Sequence, residues 1–245
     1  PTDDVFTYEL KDQLDHPLPG STDDDQTMVL NLSPAIVATD KDTDPISLVS
    51  QLTVTVEDDV PVLGPTPFNI NVQEDALPTG NLDTASDTTI GTIAYADLLG
   101  LVAVGADEPA LFSLNLSVSG TVKTTGGSDV YSQGSLVSYN VNGSVIEGKS
   151  ADGRVVFTLT QTAGNGTADP TDDVFTYELK DQLDHPLPGS TDDDQTMVLN
   201  LSPAIVATDK DTDPISLVSQ LTVTVEDDVP VLGPTPFNNH AHEDA

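Results

Sequence analysis

The stretch DKDTDPISLVSQLTVTVEDDVP, residues 40–61, returns letter for letter as residues 209–230. Its interior alternates. Leu48, Leu52, Val54 and Val56 fall on one face, while Ser47, Val49, Gln51, Thr53 and Thr55 fall on the other. A period of two is the signature of a β-strand with one face buried. Read as one strand from Pro45 to Glu57, it would run about 40 Å at 3.3 Å per residue, enough to cross a domain. The DKDTD turn and the EDD cluster are then expected at opposite ends of that domain.

The repetition extends well beyond this stretch. Residues 1–69 recur as residues 170–238, a period of 169 residues. Glu74, Asp75 and Ala76 also return, as Glu243, Asp244 and Ala245, whereas INVQ (70–73) becomes NHAH (239–242). A single compact enzyme has no physical use for so long a duplication. An array of modules joined end to end does, with each module touching its neighbours. The period exceeds the 20–50 residues of solenoid and propeller repeats and suits one whole domain per repeat. Residues 61–65 open a Pro-rich connector, with Pro61, Pro65 and Pro67 pre-setting φ. The expected division is 1–60 as the C-terminal part of one repeat domain, 61–65 as acidic and Pro-rich linker, 66–231 as one complete repeat, and 232–245 as linker and the start of the next. Pro1 falls in mid-pattern, so the chain reads as a piece of something longer. Residues 1–60, lacking their other strands, are expected to be partly ordered, to self-associate or to borrow a strand.

Other segments alternate in the same way. Phe6, Tyr8 and Leu10 share a face in VFTYEL, as do Met28, Leu30 and Leu32 in MVLNL. In the unpaired middle of the chain, Phe112, Leu114, Leu116 and Val118 alternate, and Asn142-Gly143 reads as a hairpin turn between LVSYNV and SVIEG. Asp152-Gly153 marks another turn, and only YADLLG (95–100) suggests a helical one. The fold class expected is all-β, an antiparallel β-sandwich.

Composition narrows the function. With 41 acidic and 7 basic residues the formal charge is −34, which excludes nucleic acid and anionic membrane as partners. The acids are 33 Asp and 8 Glu, a bias toward turns and metal loops rather than helix surfaces. There is no Cys, so disulfides, thiol nucleophiles and zinc thiolate sites are absent, and no apolar run is long enough to insert in a bilayer as a helix. No phosphate loop, GxSxG or HExxH occurs, and the reading is not an enzyme.

The acidic clusters read as metal sites. Asp40, Asp42 and Asp44, and their copies Asp209, Asp211 and Asp213, place hard oxygen ligands on alternate residues of a turn, a pattern that suits Ca²⁺. Pro45 and Gln51 stand where an EF-hand needs Gly and Glu. If turn and EDD lie at opposite ends, Glu57, Asp58 and Asp59 of one module meet Asp209, Asp211 and Asp213 of the next. Glu74 or Asp75, from the start of that module, would join them. So many carboxylates at one joint need cations. Glu226, Asp227 and Asp228 would meet Glu243 and Asp244 at the following joint. Asp23–Asp25, Asp107 with Glu108, Asp129, and Asp169 with Asp172 and Asp173 are weaker candidates. His240 and His242 have chelating spacing but read as idle, and His16 and His185 have no nucleophile motif beside them.

The combination of an acidic, Cys-free β repeat, a DxDxD turn, a final LTVTV strand, a VEDDVP joint and a QEDA start resembles the tandem Ig-like or cadherin-like repeats of giant bacterial RTX adhesins exported by type I secretion. The resemblance covers essentially the whole chain. It implies calcium at the joints, an extracellular, cell-surface location, and a role as an extender that holds a distal ligand-binding region away from the cell. The partners it implies are neighbouring identical repeats, with any glycan or protein ligand bound elsewhere in the parent protein. An alternative is a repeat that itself binds a glycan or protein in adhesion or biofilm formation. No Trp, 5 Tyr and 6 Phe leave little for sugar stacking.

Overall fold

The computed structural model describes residues 5–16, 27–82, 84–163, 169–185, 195–210 and 212–228. These are β-rich, with several antiparallel sheets and one short helix. The first copy of the repeat contributes β1 (Thr27–Asn31), β2 (Ala38–Thr39), β3 (Pro45–Ile46), β4 (Thr53–Glu57) and β5 (Val62–Leu63). There follow β6 (Phe68–Gln73), β7 (Ile90–Ala94), helix α1 (Tyr95–Leu98), β8 (Val102–Ala103) and β9 (Leu111–Leu114). Next come β10 (Tyr131–Ser132), β11 (Ser135–Asn142), β12 (Val145–Ser150) and β13 (Val155–Thr162). The second copy adds β14 (Val174–Leu179), β15 (Thr196–Asn200), β16 (Ile205–Thr208), β17 (Pro214–Ile215) and β18 (Leu221–Glu226).

A six-stranded sheet runs in the order β10-β11-β12-β13-β14-β7, and two three-stranded sheets run β15-β18-β6 and β17-β16-β9. All three contribute to one apolar core. Alternation decides which face each strand buries. Phe175, Tyr177 and Leu179 of β14 are buried, as are Met197 and Leu199 of β15 and Leu221, Val223 and Val225 of β18. The Phe157 and Tyr177 rings lie 5.2 Å apart at the centre. On the other face of β18, Thr222 and Thr224 hydroxyls donate to Asn69 Oδ1 at 2.8 and 3.0 Å.

Four local expectations are corrected. ISLVSQLTVTVE is not one strand: it breaks at a turn in which Gln220 N–H donates to the Leu217 carbonyl at 3.0 Å, with Val218 and Ser219 at positive φ. Ser50 does the same in the first copy. The break lets one segment serve two sheets, β17 in one and β18 in the other. Second, the assembly is not purely antiparallel, because β6 pairs parallel with β18, from Leu221↔Phe68 to Glu226↔Gln73. Third, Leu116 is exposed because β9 ends at Leu114 and the chain turns through Asn115–Val118. Fourth, the β11-β12 hairpin turns on Gly143 and Ser144 rather than Asn142 and Gly143, since Asn142 still pairs with Val145 and Gly143 takes the positive φ. The helical turn at YADL and the Asp152-Gly153 turn form where expected.

The two copies share a sequence but not an environment. β1 pairs with β4 in the same register as β15 with β18, Thr27↔Glu57 against Thr196↔Glu226. Local pairing therefore survives in both. VFTYEL does not behave alike: residues 174–179 form β14 between β13 and β7, whereas residues 5–10 form no strand. Phe175 is 1% exposed and Phe6 73%. Tyr8, Leu10, Val29, Val37 and Ile46 are likewise exposed, because the first copy has no six-stranded sheet to cover them.

The first copy is joined to the rest by backbone and side-chain contacts. β5 pairs antiparallel with β8, and Gly64 N–H donates to the Leu101 carbonyl at 2.8 Å. A Cβ at Gly64 would collide with Gly100 backbone, so only glycine allows this approach.

Candidate metal sites

Three carboxylates converge at the first DKDTD turn. Asp40 Oδ1 accepts from the Asp44 amide at 2.9 Å and the Asp42 amide at 3.2 Å, and Asp40 N–H donates to the Asp44 carbonyl at 3.1 Å. Thr43 takes φ +78° to close the turn. These bonds fold Asp40, Asp42 and Asp44 onto one another, with one donor oxygen of each within 4.8 Å of the others. The Asp40 carboxyl is held below the ordinary carboxylate range, chiefly by its hydrogen bond with the Asp42 side chain and then by the Asp44 amide. The three carboxylates are hard oxygen donors, and this acidic group could hold a metal ion.

The second turn has the same skeleton in a different setting. Asp209 Oδ1 accepts from the Asp213 amide at 2.8 Å, and Thr212 has φ +82°. Asp211 lies outside the described residues. Where Asp40, Asp42 and Asp44 are exposed, Asp209 and Asp213 are buried. Beside the second turn lies the 104–107 loop of the same module, which the first copy also contacts. Lys210 N–H donates to the Asp107 carbonyl at 3.2 Å, and the Ala106 amide donates to Asp59 Oδ2 at 2.7 Å. Gln13, in the amide orientation that satisfies both its ends, donates to the Ala106 carbonyl at 2.8 Å and accepts from Lys210 Nζ at 3.1 Å. Gly105, at φ +61°, lies so close to Asp59 that a Cβ there would overlap the carboxylate.

Asp59 and Lys210, at the start of the second turn, thus both contact the 104–107 loop. Residues 57–59 and the 209–213 turn do not form a direct three-donor cluster among the described residues. Asp58 is buried against His16, with Oδ1 2.9 Å from His16 Nδ1, while Glu57 sits in β4 opposite Thr27. Asp107, a weaker candidate in the sequence, is buried at this joint.

Glu74 and Asp75 are not at this joint, and that expectation is corrected. The parallel pairing of β6 along β18 carries the start of the module to its other end, so Gln73 lies beside Glu226 and Glu74 comes to Asp227. Both Glu74 and Asp75 are buried there. Asp228 Oδ1 accepts from the Asn81 amide at 3.2 Å, closing the 74–81 loop over the strand ends. The third member of the group is His185, which no local motif marks: its Nε2 lies 3.2 Å from Glu74 Oε1. Leu183 N–H donates to the same oxygen at 2.6 Å. Burial pushes the Glu74 carboxyl up, against the hydrogen bonds from His185 and Leu183.

The remaining candidates have local roles. Asp129 pairs with Lys123 at 2.6 Å, and Asp169 caps the turn at Pro170–Asp172 by accepting from the Thr171 amide. Asp23–Asp25, His240, His242, Glu243 and Asp244 lie outside the described residues, as does the 232–245 segment. No helix among the described residues is long and apolar enough to cross a membrane. Comparison with protein-family models, curated proteins and solved structures finds no match to this chain.

Proposed function

We propose that the chain is a stretch of a structural extender: tandem Ig-like or cadherin-like β-sandwich modules, each stiffened against the next by Ca²⁺, in a long bacterial surface adhesin of the RTX type. The observation that carries this reading is the direction of the parallel pair. The chain enters the module beside the joint, at Gly64 and Phe68, and β6 runs the length of β18 before leaving it. β18, the last strand, ends at Glu226 beside Gln73. Entry and exit therefore lie at opposite ends of the strand pair, and modules of this kind add length when chained. An antiparallel first and last strand would fold the chain back on itself.

Two further features support the reading. Exact repetition suits a spacer, which needs only length and stiffness. The joint has a built form, with β5 paired to β8 and Asp59 bonded to the 104–107 loop, where buried Asp58, Asp107, Asp209 and Asp213 gather charge of one sign in a chain of −34. A cation among them would lower the cost of burying carboxylates together. The donors are all hard oxygens, which fit Ca²⁺. Residues of the DKDTD turns, Asp40, Asp42 and Asp44 and their copies, would hold the ion, and its charge would neutralise the joint. Location outside the cell, where calcium is plentiful, belongs to the same proposal.

The test is thermal unfolding of the whole chain with Ca²⁺, with equal Mg²⁺ and in chelator, at one high ionic strength. A ligand at about 100 times its Kd adds about 2.7 kcal/mol. At about 2–4 °C per kcal/mol for a chain of this size, that is a rise of roughly 5–11 °C per site in Ca²⁺ alone. Equal midpoints in all three solutions would overturn the proposal.

A further inference from the structure

The group at the far end of the module differs in chemistry from the aspartate turns, because it contains an imidazole. We propose that Glu74, His185 and Asp227 form a second kind of metal site, selective for a divalent transition ion of the Zn²⁺ class rather than for Ca²⁺. This does not rest on the calcium reading, which concerns other residues and a harder ion.

Five observations converge. One donor atom from each of the three residues lies within 4.8 Å of the other two. The His185 Nε2 to Glu74 Oε1 separation of 3.2 Å is close to the roughly 3.4 Å edge of a tetrahedron with bonds of about 2.1 Å. Both side chains are 3% exposed, so a carboxylate and an imidazole have been removed from water together. Among the described residues no group hydrogen-bonds the buried His185 Nδ1. A polar cavity of about 90 Å³, lined by Glu74, Thr79, Gly80, Gln182, Asp227 and Asp228 among others, adjoins the group. At about 30 Å³ per water it has room to complete a coordination shell.

The donor set decides the class of ion. Imidazole nitrogen with two carboxylates is the pattern of zinc and its neighbours, whereas Ca²⁺ takes six to eight oxygens. Glu74 is held in place by the Leu183 amide, the kind of outer bond that orients a ligand. The ligands come from three distant parts of the chain: the 3-10 turn after β6, the loop after β14 and the end of β18. An ion bound here would clamp the first and last strands of the module at the end where the chain leaves it. The histidine and aspartate meet in the first copy too, where His16 Nδ1 lies 2.9 Å from Asp58 Oδ1.

The test uses Co²⁺ as a visible probe and Zn²⁺ as competitor, on the full chain with His240 and His242 both changed to Asn to remove the NHAH chelate. Saturable Co²⁺ absorption bands, displaced by Zn²⁺ but not by equal Ca²⁺, are expected. His185→Gln and the near-isosteric Glu74→Gln should each weaken binding at least tenfold, while Asp152→Asn, in the turn before β13, leaves it unchanged. Zinc K-edge absorption of the chain with His185 intact should show an imidazole shell without needing a folded variant. An all-oxygen shell, displacement by Ca²⁺, or binding unchanged in both His185→Gln and Glu74→Gln would overturn the proposal. Loss of all binding in the His240/His242 variant would do so as well.

Discussion

Phe6 and Phe175 occupy the same position in two identical segments, so replacing each with Ala isolates what tertiary structure contributes. Local propensity is the same in both, and so is the nearby unfolded chain, which removes two usual sources of error from such a comparison. Phe175 is 1% exposed, on β14 between Gln161 of β13 and Ile93 of β7. Truncating a core Phe costs about 3–5 kcal/mol, as lost transfer energy plus a cavity that closes only partly. At about 2–4 °C per kcal/mol, Phe175→Ala should lower the main unfolding midpoint by roughly 6–20 °C. Phe6 is 73% exposed, and Phe6→Ala should stay within about 0.5 kcal/mol, a shift of about 2 °C or less. Scanning calorimetry on the full chain reads both, with far-ultraviolet circular dichroism to confirm folding. Equal losses in the two variants would mean that residues 5–10 dock in a core of their own, and would refute the contrast between copies.

Three further outcomes follow from the same geometry. Gly105→Ala places a Cβ against the Asp59 carboxylate, so hydrogen exchange at the Ala106 amide should accelerate while core amides of β13 and β14 keep their protection; an unchanged Ala106 rate would contradict the joint. Asp213→Asn, in the buried turn, should reduce the Ca²⁺-induced rise in midpoint more than Asp44→Asn, in the exposed one, and the reverse order in a melting experiment would count against burial as what strengthens the second turn. Raising NaCl from about 0.05 to 1 M in chelator should raise the midpoint, because the Debye length falls from more than 10 Å to about 3 Å and self-repulsion is screened; a flat or falling midpoint would show that charge does not limit stability.

What the sequence disclosed was what alternation and spacing encode. LTVTVE and VFTYEL announced which side chains face inward, and Leu221, Val223, Val225, Phe175, Tyr177 and Leu179 are buried accordingly. Direction was invisible, because a period of two reads the same for parallel and antiparallel partners; hence the misplacement of Glu74 and Asp75. The break at Ser219 was also invisible, since Leu217 keeps the alternation while the backbone turns beneath it. His185 could not have been found at all: it meets Glu74 across 111 residues, and nothing local marks the pair. Nor could identical letters reveal unlike surroundings, for VFTYEL is a central strand only where β13 and β7 exist to flank it.

The contrast between the two DKDTD turns bears on how such a joint would respond to its ions. Both turns carry the same internal hydrogen bond, from Asp44 to Asp40 at 2.9 Å and from Asp213 to Asp209 at 2.8 Å, so the turn itself does not depend on its neighbours. What differs is cover: the second turn is buried where Lys210 meets the 104–107 loop and that loop meets Asp59. A cation at Asp209 and Asp213 would sit in lower dielectric than one at Asp40 and Asp44, and would be held more strongly for the same charges. By linkage, whatever closes the joint raises the affinity of the covered turn, and an ion in that turn closes the joint by the same free energy. In the array proposed above, stiffness would then rise with calcium more steeply than independent sites allow, provided the cover of each turn tightens with the joint beside it.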